Sequence, residues 1–346
     1  MISQHIINED RSVLDALHAI NSLKSNETLT LFVTDKDNVI IGSLTDGDIR
    51  RSLTTKGTLS TKVGNIAHRN FIYLMHGNYD LKIINSARNK GIELLPVLDK
   101  QYRIVDLVNL KKQKSFLPID AVLMAGGKGE RLRPLTDKTP KPLIKIGDKA
   151  IIDYNVERLI SYGLKNIHVT INYLGEQLEE HFLSPINGVK VETVREPSYL
   201  GTMGSIQFVK EFYHDIILVM NSDLFTNIDY EDFYLHFKEH NADMSVAAIP
   251  YDVNIPFGIF DLDGRNIKGV KEKPSYHYYA NAGIYLIKKD VLKHIPQNEF
   301  FNATDLIEEL VKQNMKVIRF PITGYWIDIG QHSELVKANE LVKHLK

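Results

Sequence analysis

An apolar run, Ala121-Val122-Leu123-Met124-Ala125, leads directly into Gly126-Gly127-Lys128-Gly129. The run has the length and composition of a buried strand. Three glycines in the next four residues leave a bare backbone that can close on a ligand and aim its N–H groups at phosphate oxygens. Cationic side chains follow at Arg131, Arg133 and Lys141, groups suited to clamping a polyphosphate. Spacing excludes two other phosphate loops. A P-loop needs Gly-Lys-Ser/Thr, but Gly129 follows Lys128. A dinucleotide fingerprint starting at Gly127 needs a glycine where Leu132 stands.

Downstream, the hydrophobic pattern keeps switching period. Residues 166–172 (NIHVTIN), 189–194 (VKVETV) and 215–223 (DIILVMNSD) read as strands, and 175–182 (GEQLEEHF) and 204–212 (GSIQFVKEF) as helices. Such alternation indicates an open, mostly parallel α/β sheet. Its ligands belong beyond the carboxyl ends of the strands, where Ile216-Ile217-Leu218-Val219-Met220 delivers Asp223. A carboxylate there suits Mg²⁺ or Mn²⁺, which combine a few carboxylates with phosphate oxygens and water. Asp328, in Tyr325-Trp326-Ile327-Asp328-Ile329-Gly330, is the second carboxylate chosen. Either aspartate alone reads equally as a turn or cap residue.

The chain is longer than this sheet requires. Single hydrophobic cores stop growing at roughly 250–300 residues, so 346 residues with 43% hydrophobic content indicate two domains. The 42 basic and 43 acidic residues leave a formal net charge of -1, which gives no electrostatic reason to expect nucleic acid or an anionic membrane as partner. The absence of cysteine excludes disulfides, thiolate zinc sites and cysteine nucleophiles. The N-terminus MISQHIINEDRSV has no basic region followed by an apolar run, and no stretch approaches the ~18 apolar residues of a membrane span. The expectation is a soluble, cytoplasmic protein.

The extra length carries an internal repeat. A shift of 64 positions places Leu17 on Leu81, Ile20-Asn21-Ser22 on Ile84-Asn85-Ser86, Asp35-Lys36 on Asp99-Lys100 and Ile40 on Ile104. Each copy reads as a helix, an apolar strand, an Asp-Lys turn and a second strand. A unit this small cannot bury its apolar face alone, so the copies should pack together. This arrangement resembles a pair of CBS modules, most closely at Gly42-Ser43-Leu44-Thr45-Asp46-Gly47-Asp48-Ile49-Arg50. The resemblance implies that Thr45 and Asp48 hold the phosphate and ribose of an adenine nucleotide. The alternative is a polar turn capping a helix, with Asp46 as the cap. The second copy has Asp106, Asn109 and Lys112 in place of Gly42, Thr45 and Asp48, and a lysine cannot accept from a ribose hydroxyl. The division expected is a CBS pair over residues 1–112, a linker over 113–118 with a solvated lysine run before it, and a catalytic domain over 119–346.

From Ile119 onward the chain resembles the sugar-1-phosphate nucleotidyltransferases. The resemblance is carried by Ala125-Gly126-Gly127-Lys128-Gly129-Glu130-Arg131-Leu132-Arg133-Pro134-Leu135-Thr136 and by Pro140-Lys141-Pro142-Leu143. It implies a GT-A-like, Rossmann-like nucleotidyltransferase sheet, with Ala125, Gly126, Gly127 and Gly129 wrapping the nucleotide. Arg131 and Lys141 would neutralise the triphosphate and the attacking sugar phosphate, with Arg133 as a further cation. Asp223 and Asp328 would share the metal, although Ser222 stands where the family usually has glycine. Lys271-Glu272-Lys273-Pro274 implies that Glu272 receives sugar hydroxyls and Lys273 the sugar phosphate; in isolation this is an exposed turn. Asn281 and Gly283 would line the sugar pocket. Arg195-Glu196-Pro197-Ser198-Tyr199-Leu200-Gly201-Thr202-Met203-Gly204 resembles the loop for base and sugar, adding Gly201 and Thr202. Glu196 either accepts the paired N–H donors of guanine or is a solvated strand-end residue.

The activity implied is attack by a sugar 1-phosphate on the α-phosphorus of a nucleoside triphosphate, releasing pyrophosphate. GTP is the first choice, giving a GDP-hexose, GDP-hexosamine or GDP-heptose for surface glycans. A dTTP- or UTP-using enzyme is the runner-up. An adenine-nucleotide sensor with an inactive transferase domain is the rival from another class. Paired CBS modules further imply a homo-oligomer.

Overall fold

The computed structural model describes residues 2–23 and 27–344. The chain divides into two compact units, Met1–Phe116 and Leu117–Lys346. No helix among the described residues is long and apolar enough to cross a membrane.

The front unit builds one pattern twice. Strand β1 (Ile6–Asn8), helix α1 (Val13–Ser22), β2 (Thr30–Thr34) and β3 (Ile40–Thr45) are followed by helix α2 (Asp46–Thr55); then come β4 (Leu74–Met75), α3 (Leu81–Asn89), β5 (Leu94–Leu98) and β6 (Ile104–Asn109). In each copy the first strand pairs parallel with the second, and the second antiparallel with the third. The Asp-Lys turns share one chemistry. Asp35 Oδ1 accepts from the N–H of Asp37 and Val39, and Asp99 Oδ1 from those of Gln101 and Arg103. One residue in each turn, Asn38 or Tyr102, takes a left-handed conformation (φ 62° and 57°), as a tight two-strand connection demands. Each copy buries its own helix against its sheet, while Phe32 and Ile40 of the first meet Leu94 and Leu98 of the second in a shared cluster.

In the second unit, β7 (Asp120–Ala125) leads through the glycine loop to a small hairpin of β8 (Lys145–Ile146) and β9 (Lys149–Ala150) and to α4 (Ile151–Ser161). There follow β10 (Ile167–Ile171), α5 (Gly175–His181), β11 (Val191–Arg195), β12 (Ile216–Asn221), β13 (Leu224–Thr226), α6 (Tyr230–Glu239) and β14 (Met244–Asn254). The chain ends with β15 (Ile259–Asp263), β16 (Asn266–Lys271), β17 (Ser275–Lys288), α7 (Ala303–Lys312), β18 (Val317–Pro321), β19 (Trp326–Asp328) and α8 (His332–Lys343). Among the described residues the main sheet has seven strands in the order β11-β10-β7-β12-β17-β14-β18. Only β17 runs against the others. The amino end of β7 is fixed by Asp120, a buried carboxylate that accepts from the N–H of Tyr213 and His214 and from Asn166 Nδ2. Its carboxyl end is left to the glycines.

One expectation changes. Residues 204–212 form only a short 3₁₀ turn, Gly204–Phe208, not a helix. The N–H groups of Met203 and Gly204 bond Phe301 O at 2.9 and 3.1 Å, so tertiary partners hold the entrance to this segment. The boundary between the units falls within residues 113–118. Phe116 stacks on Tyr79 at 4.3 Å within the front unit, and Leu117 is buried in the second, donating its N–H to Tyr162 O. Lys111, Lys112 and Lys114 are exposed.

Candidate active site

An open cavity of about 710 Å³ lies at the carboxyl ends of β7, β10 and β12. Gly126, Gly127 and Gly129 form one wall, with Ala125 behind them. Gly126 packs so closely on Glu196 that a Cβ there would overlap Glu196 Oε1. Gly129 has a φ of 63° and opens the 3₁₀ turn Glu130–Leu132, which presents Arg131 to the cavity. Arg133 instead pairs with Asp137 at 3.3 Å and lies outside the lining.

Opposite stands a charged cluster. The antiparallel pairing of β13 with β19 sets Leu224 across from Asp328, which brings Asp223 and Asp328 together. Lys141, from the 3₁₀ turn Lys141–Leu143, pairs with Asp223 Oδ2 and lies 3.6 Å from Asp328 Oδ1. Asp223 Oδ1 is buried without a hydrogen-bond partner. Burial, then the Asp223 carboxylate, pushes the Asp328 carboxyl above its ordinary range, against the pull of Lys141 and Arg131. Among the described residues no three His, Asp or Glu side chains gather as a metal nest. A pair of carboxylates with one oxygen left over could contribute to holding an ion that takes its other ligands from phosphate and water.

The turn carrying Asp223 is held from two sides. Ser222 donates from its N–H and its hydroxyl to Met124 O (3.2 and 2.7 Å), tying the turn to β7. Asn155 on α4, buried, donates to Ser222 O and Leu224 O.

Glu196, Gly201 and Thr202 also line the cavity. Glu196 is buried, 3% exposed, and burial raises its carboxyl pKa despite the Leu200 N–H that Oε2 accepts at 3.0 Å. The reading of Glu196 as a solvated strand-end residue is therefore set aside. The loop beyond it is strapped down: Phe301 N–H donates to Leu200 O, and Ala303 N–H to Thr202 Oγ1. Tyr199, Thr170, Asn172 and Asn221 are also in the lining and were not apparent from the sequence. An aromatic residue directly before Leu200-Gly201-Thr202 was the available signal for Tyr199. Its phenol pKa is raised by burial and by the carboxylates of Glu196 and Asp223.

The four residues expected at the sugar fall outside this lining. Glu272 and Lys273 are exposed between β16 and β17, with Lys273 in a left-handed conformation (φ 43°). Asn281 bonds Tyr285 OH and the Gly283 N–H. Gly283 borders the cavity indirectly, because a Cβ there would press into the amide of Asn221.

In the front unit, Thr45 and Asp48 line a separate cavity with Arg51, His68 and Lys111. The cap of α2 is Thr45, not Asp46, whose carboxylate pairs with Arg50. Asp48 Oδ2 accepts from Thr45 N–H and Oγ1 (2.8 and 2.6 Å), and Oδ1 accepts from Arg51. Backbone φ/ψ of 45 is extended, so its hydroxyl can turn back to close the capping box.

The profile of the nucleotidyl transferase family matches residues 120–344. The chain belongs to this family. Over 230 residues it is 30% identical to the bifunctional protein GlmU of Methanocaldococcus jannaschii, covering 64% of this chain and 54% of that protein. Over 225 residues it is 26% identical to a putative mannose-1-phosphate guanyltransferase of Sulfolobus acidocaldarius, covering 64% and 62%. The chain thus spans 54% and 62% of the length of these two curated relatives. HddC from Yersinia pseudotuberculosis complexed with GMP-PN superposes with a TM-score of 0.52 at 25% identity, covering 65% of this chain and 99% of that one. A putative glucose-1-phosphate thymidylyltransferase from Bacillus anthracis shares the fold at a TM-score of 0.52 and 24% identity, covering 66% and 96%.

Proposed function

We propose that this nucleotidyl transferase joins a nucleoside monophosphate, taken from its triphosphate, to a sugar 1-phosphate. A sugar-phosphate oxygen bonds to the α-phosphorus as the bond from that phosphorus to the bridging oxygen of pyrophosphate breaks. The attacking oxygen is already anionic, so no side chain need act as nucleophile or take a proton. Catalysis then consists of positioning two anions and offsetting their repulsion. Unit charges 4 Å apart repel by ~4 kcal/mol at an effective dielectric of 20, which calls for several cations. The observation that carries the reading is that the glycine loop, Arg131, Lys141, Asp223 and Asp328 face one cavity. Asp223 and Asp328 would hold Mg²⁺ or Mn²⁺, which when bound adds charge stabilisation to the phosphates. The unpartnered Asp223 Oδ1 fits that role. Arg131 and Lys141 would bind and orient the phosphates. Lys273 would serve the sugar phosphate and Glu272 the sugar hydroxyls if the β15–β16 arm moves toward the cavity.

The preferred base is guanine. The Glu196 carboxylate, set against the Gly126 backbone and accepting from Leu200 N–H through Oε2, would accept guanine's N1–H and N2–H₂ in bidentate fashion. Relatives described as a mannose-1-phosphate guanyltransferase and as a complex with GMP-PN support this choice; the thymidylyltransferase favours dTTP or UTP as second reading. The sugar would be a hexose, hexosamine or heptose. The front unit, as a CBS pair, would bind an adenine nucleotide at Thr45 and Asp48, tune the transferase and mediate assembly into a homo-oligomer.

Pyrophosphate release with Mg²⁺, each nucleoside triphosphate and a panel of sugar 1-phosphates tests the reading. Release with GTP and one sugar is expected. Release with UTP or dTTP alone overturns the role given to Glu196, and silence across the panel, with AMP, ADP and ATP also added, overturns the transferase reading. Rates unmoved by AMP, ADP or ATP in an active enzyme remove the regulatory role.

A further inference from the structure

The Asp223–Asp328 pair already has cations of its own. Lys141 Nζ is in contact with Asp223 and 3.6 Å from Asp328, and its side chain is only 12% exposed. Arg131 is a second cation near Asp328, lowering its carboxyl pKa through space. A Cβ on Gly330 would lie 3.0 Å from Arg131 Nη2 and 3.4 Å from Asp328 Oδ2, so both groups border the same glycine. Two negative charges therefore face two positive ones. A dication approaching a cluster of zero net charge gains little attraction, and it must displace an ammonium already in place. Yet Asp223 Oδ1 stays buried and unpartnered, a costly state for a carboxylate oxygen, so the pair is built for more positive charge than it holds.

The stem of Lys141 decides how this can be resolved. A Cβ on Gly129 would lie 3.1 Å from Lys141 Cβ, which sets the lysine against the glycine loop. A four-carbon stem with three rotatable donors can turn its ammonium from the carboxylates toward that loop without moving the backbone. We infer that Lys141 is the resident counter-ion of the Asp223–Asp328 pair and yields its place to the divalent cation only when a polyphosphate draws the ammonium away. Free enzyme is then nearly blind to divalent metal, and metal and triphosphate bind as a coupled pair. The inference rests on the metal role proposed above, but its test does not use the reaction.

The test is Mn²⁺ titration of the full chain without nucleotide, following the electron paramagnetic resonance signal of the free ion. Wild type is expected to bind weakly, Lys141→Met at least tenfold more tightly, and Lys141→Arg like wild type, because Arg restores the charge. Adding Asp328→Asn to Lys141→Met should return affinity to the wild-type level. Circular dichroism checks that each variant is folded; should Lys141→Met not fold, Arg131→Gln, which removes the second cation, should still tighten Mn²⁺ severalfold. Lys141→Met, or failing it Arg131→Gln, binding no more tightly than wild type overturns the inference. So does a gain that survives Asp328→Asn, which would put the metal elsewhere. Absence of pyrophosphate release in the wild type with these Mn²⁺ results intact would count against the proposed reaction and leave the counter-ion exchange standing.

Discussion

Asp48 in the front unit and Asp223 in the transferase unit both face cavities, in opposite states. Three of the roughly four acceptor positions of Asp48 are taken by Thr45 N–H, Thr45 Oγ1 and Arg51. It holds its own helix together. Asp223 keeps one oxygen buried with no partner, while its neighbours Ser222 and Asn155 do the structural work of fixing the turn. A carboxylate satisfied by its own chain serves the fold first, and a ligand must share it. One that the fold surrounds but does not satisfy is reserved for something brought from outside. The number of such residues in a motif says nothing about this difference; the fate of each oxygen does.

That contrast is easiest to break at Asp223. Asp223→Ala should lower pyrophosphate release about a thousandfold, the loss expected when several kcal/mol of charge stabilisation disappear. A variant active to within about tenfold would mean that the open oxygen is idle. Asp328→Asn should cost about a hundredfold in rate while raising the melting temperature of ligand-free protein at neutral pH. The sign follows from its raised pKa: a carboxyl titrating higher in the folded than in the unfolded chain favours folding at low pH, and that benefit is lost as pH climbs through the folded value. The amide removes this penalty, so the melting-temperature gain should vanish in acid; a lower melting temperature at neutral pH sinks the argument.

Glu196→Gln should raise the KM for GTP about 10- to 100-fold, the worth of a hydrogen bond to a charged group, and leave other triphosphates little changed. An unaltered KM would return Glu196 to a purely structural role as the anchor of Leu200. The smallest effect belongs to Asp48. Asp48→Ala should destabilise the front unit by about 1 kcal/mol, as for a lost helix cap, and change the basal transferase rate less than about twofold. Burial opposes ionisation of Asp48, but Thr45 and Arg51 outweigh it and hold the pKa below its ordinary value. Its contribution is therefore present above the unfolded carboxyl pKa and lost as pH falls through the depressed folded one. Denaturation followed across the acid range should show that loss in wild type and not in the variant.

What the sequence disclosed tracks how local each feature is. Strand β7, its glycines and the position of Asp223 at the end of β12 depend on residues adjacent in the chain, and the apolar runs announce them. The twin Asp-Lys turns are equally local. Residues 204–212 misled because the donors at the entrance to the segment, the N–H groups of Met203 and Gly204, bond to Phe301, nearly a hundred positions away, which no periodicity encodes. The identity of the α2 cap turned on which of two neighbouring polar side chains folds back, a choice made when Arg50 takes Asp46. Asn155 and Tyr199 were silent for the same reason: one acts from α4 on a turn after β12, and the other becomes a cavity wall only when the Glu196 loop is strapped to residues 301–303. Glu272 and Lys273 match the family's motif, but their place is set by an arm that leaves the sheet.

That arm hangs on β17. Its last residues, Ala282 to Ile287, are buried in the main sheet between β12 and β14, whereas Ser275 to Tyr279 pair only with the outer half of β14. One continuous strand thus has an end that selection cannot easily alter and an end it can. Drift, insertion or recombination among residues 250–279 can remodel what the outer part meets while Trp326, bonded to Ala282 O, keeps β19 and Asp328 where they are. Were Glu272 and Lys273 to meet the sugar phosphate as proposed, a lineage inheriting this scaffold would be free to try new acceptors while the cavity at the strand ends stayed as it is, and a laboratory library confined to those positions would explore the same freedom.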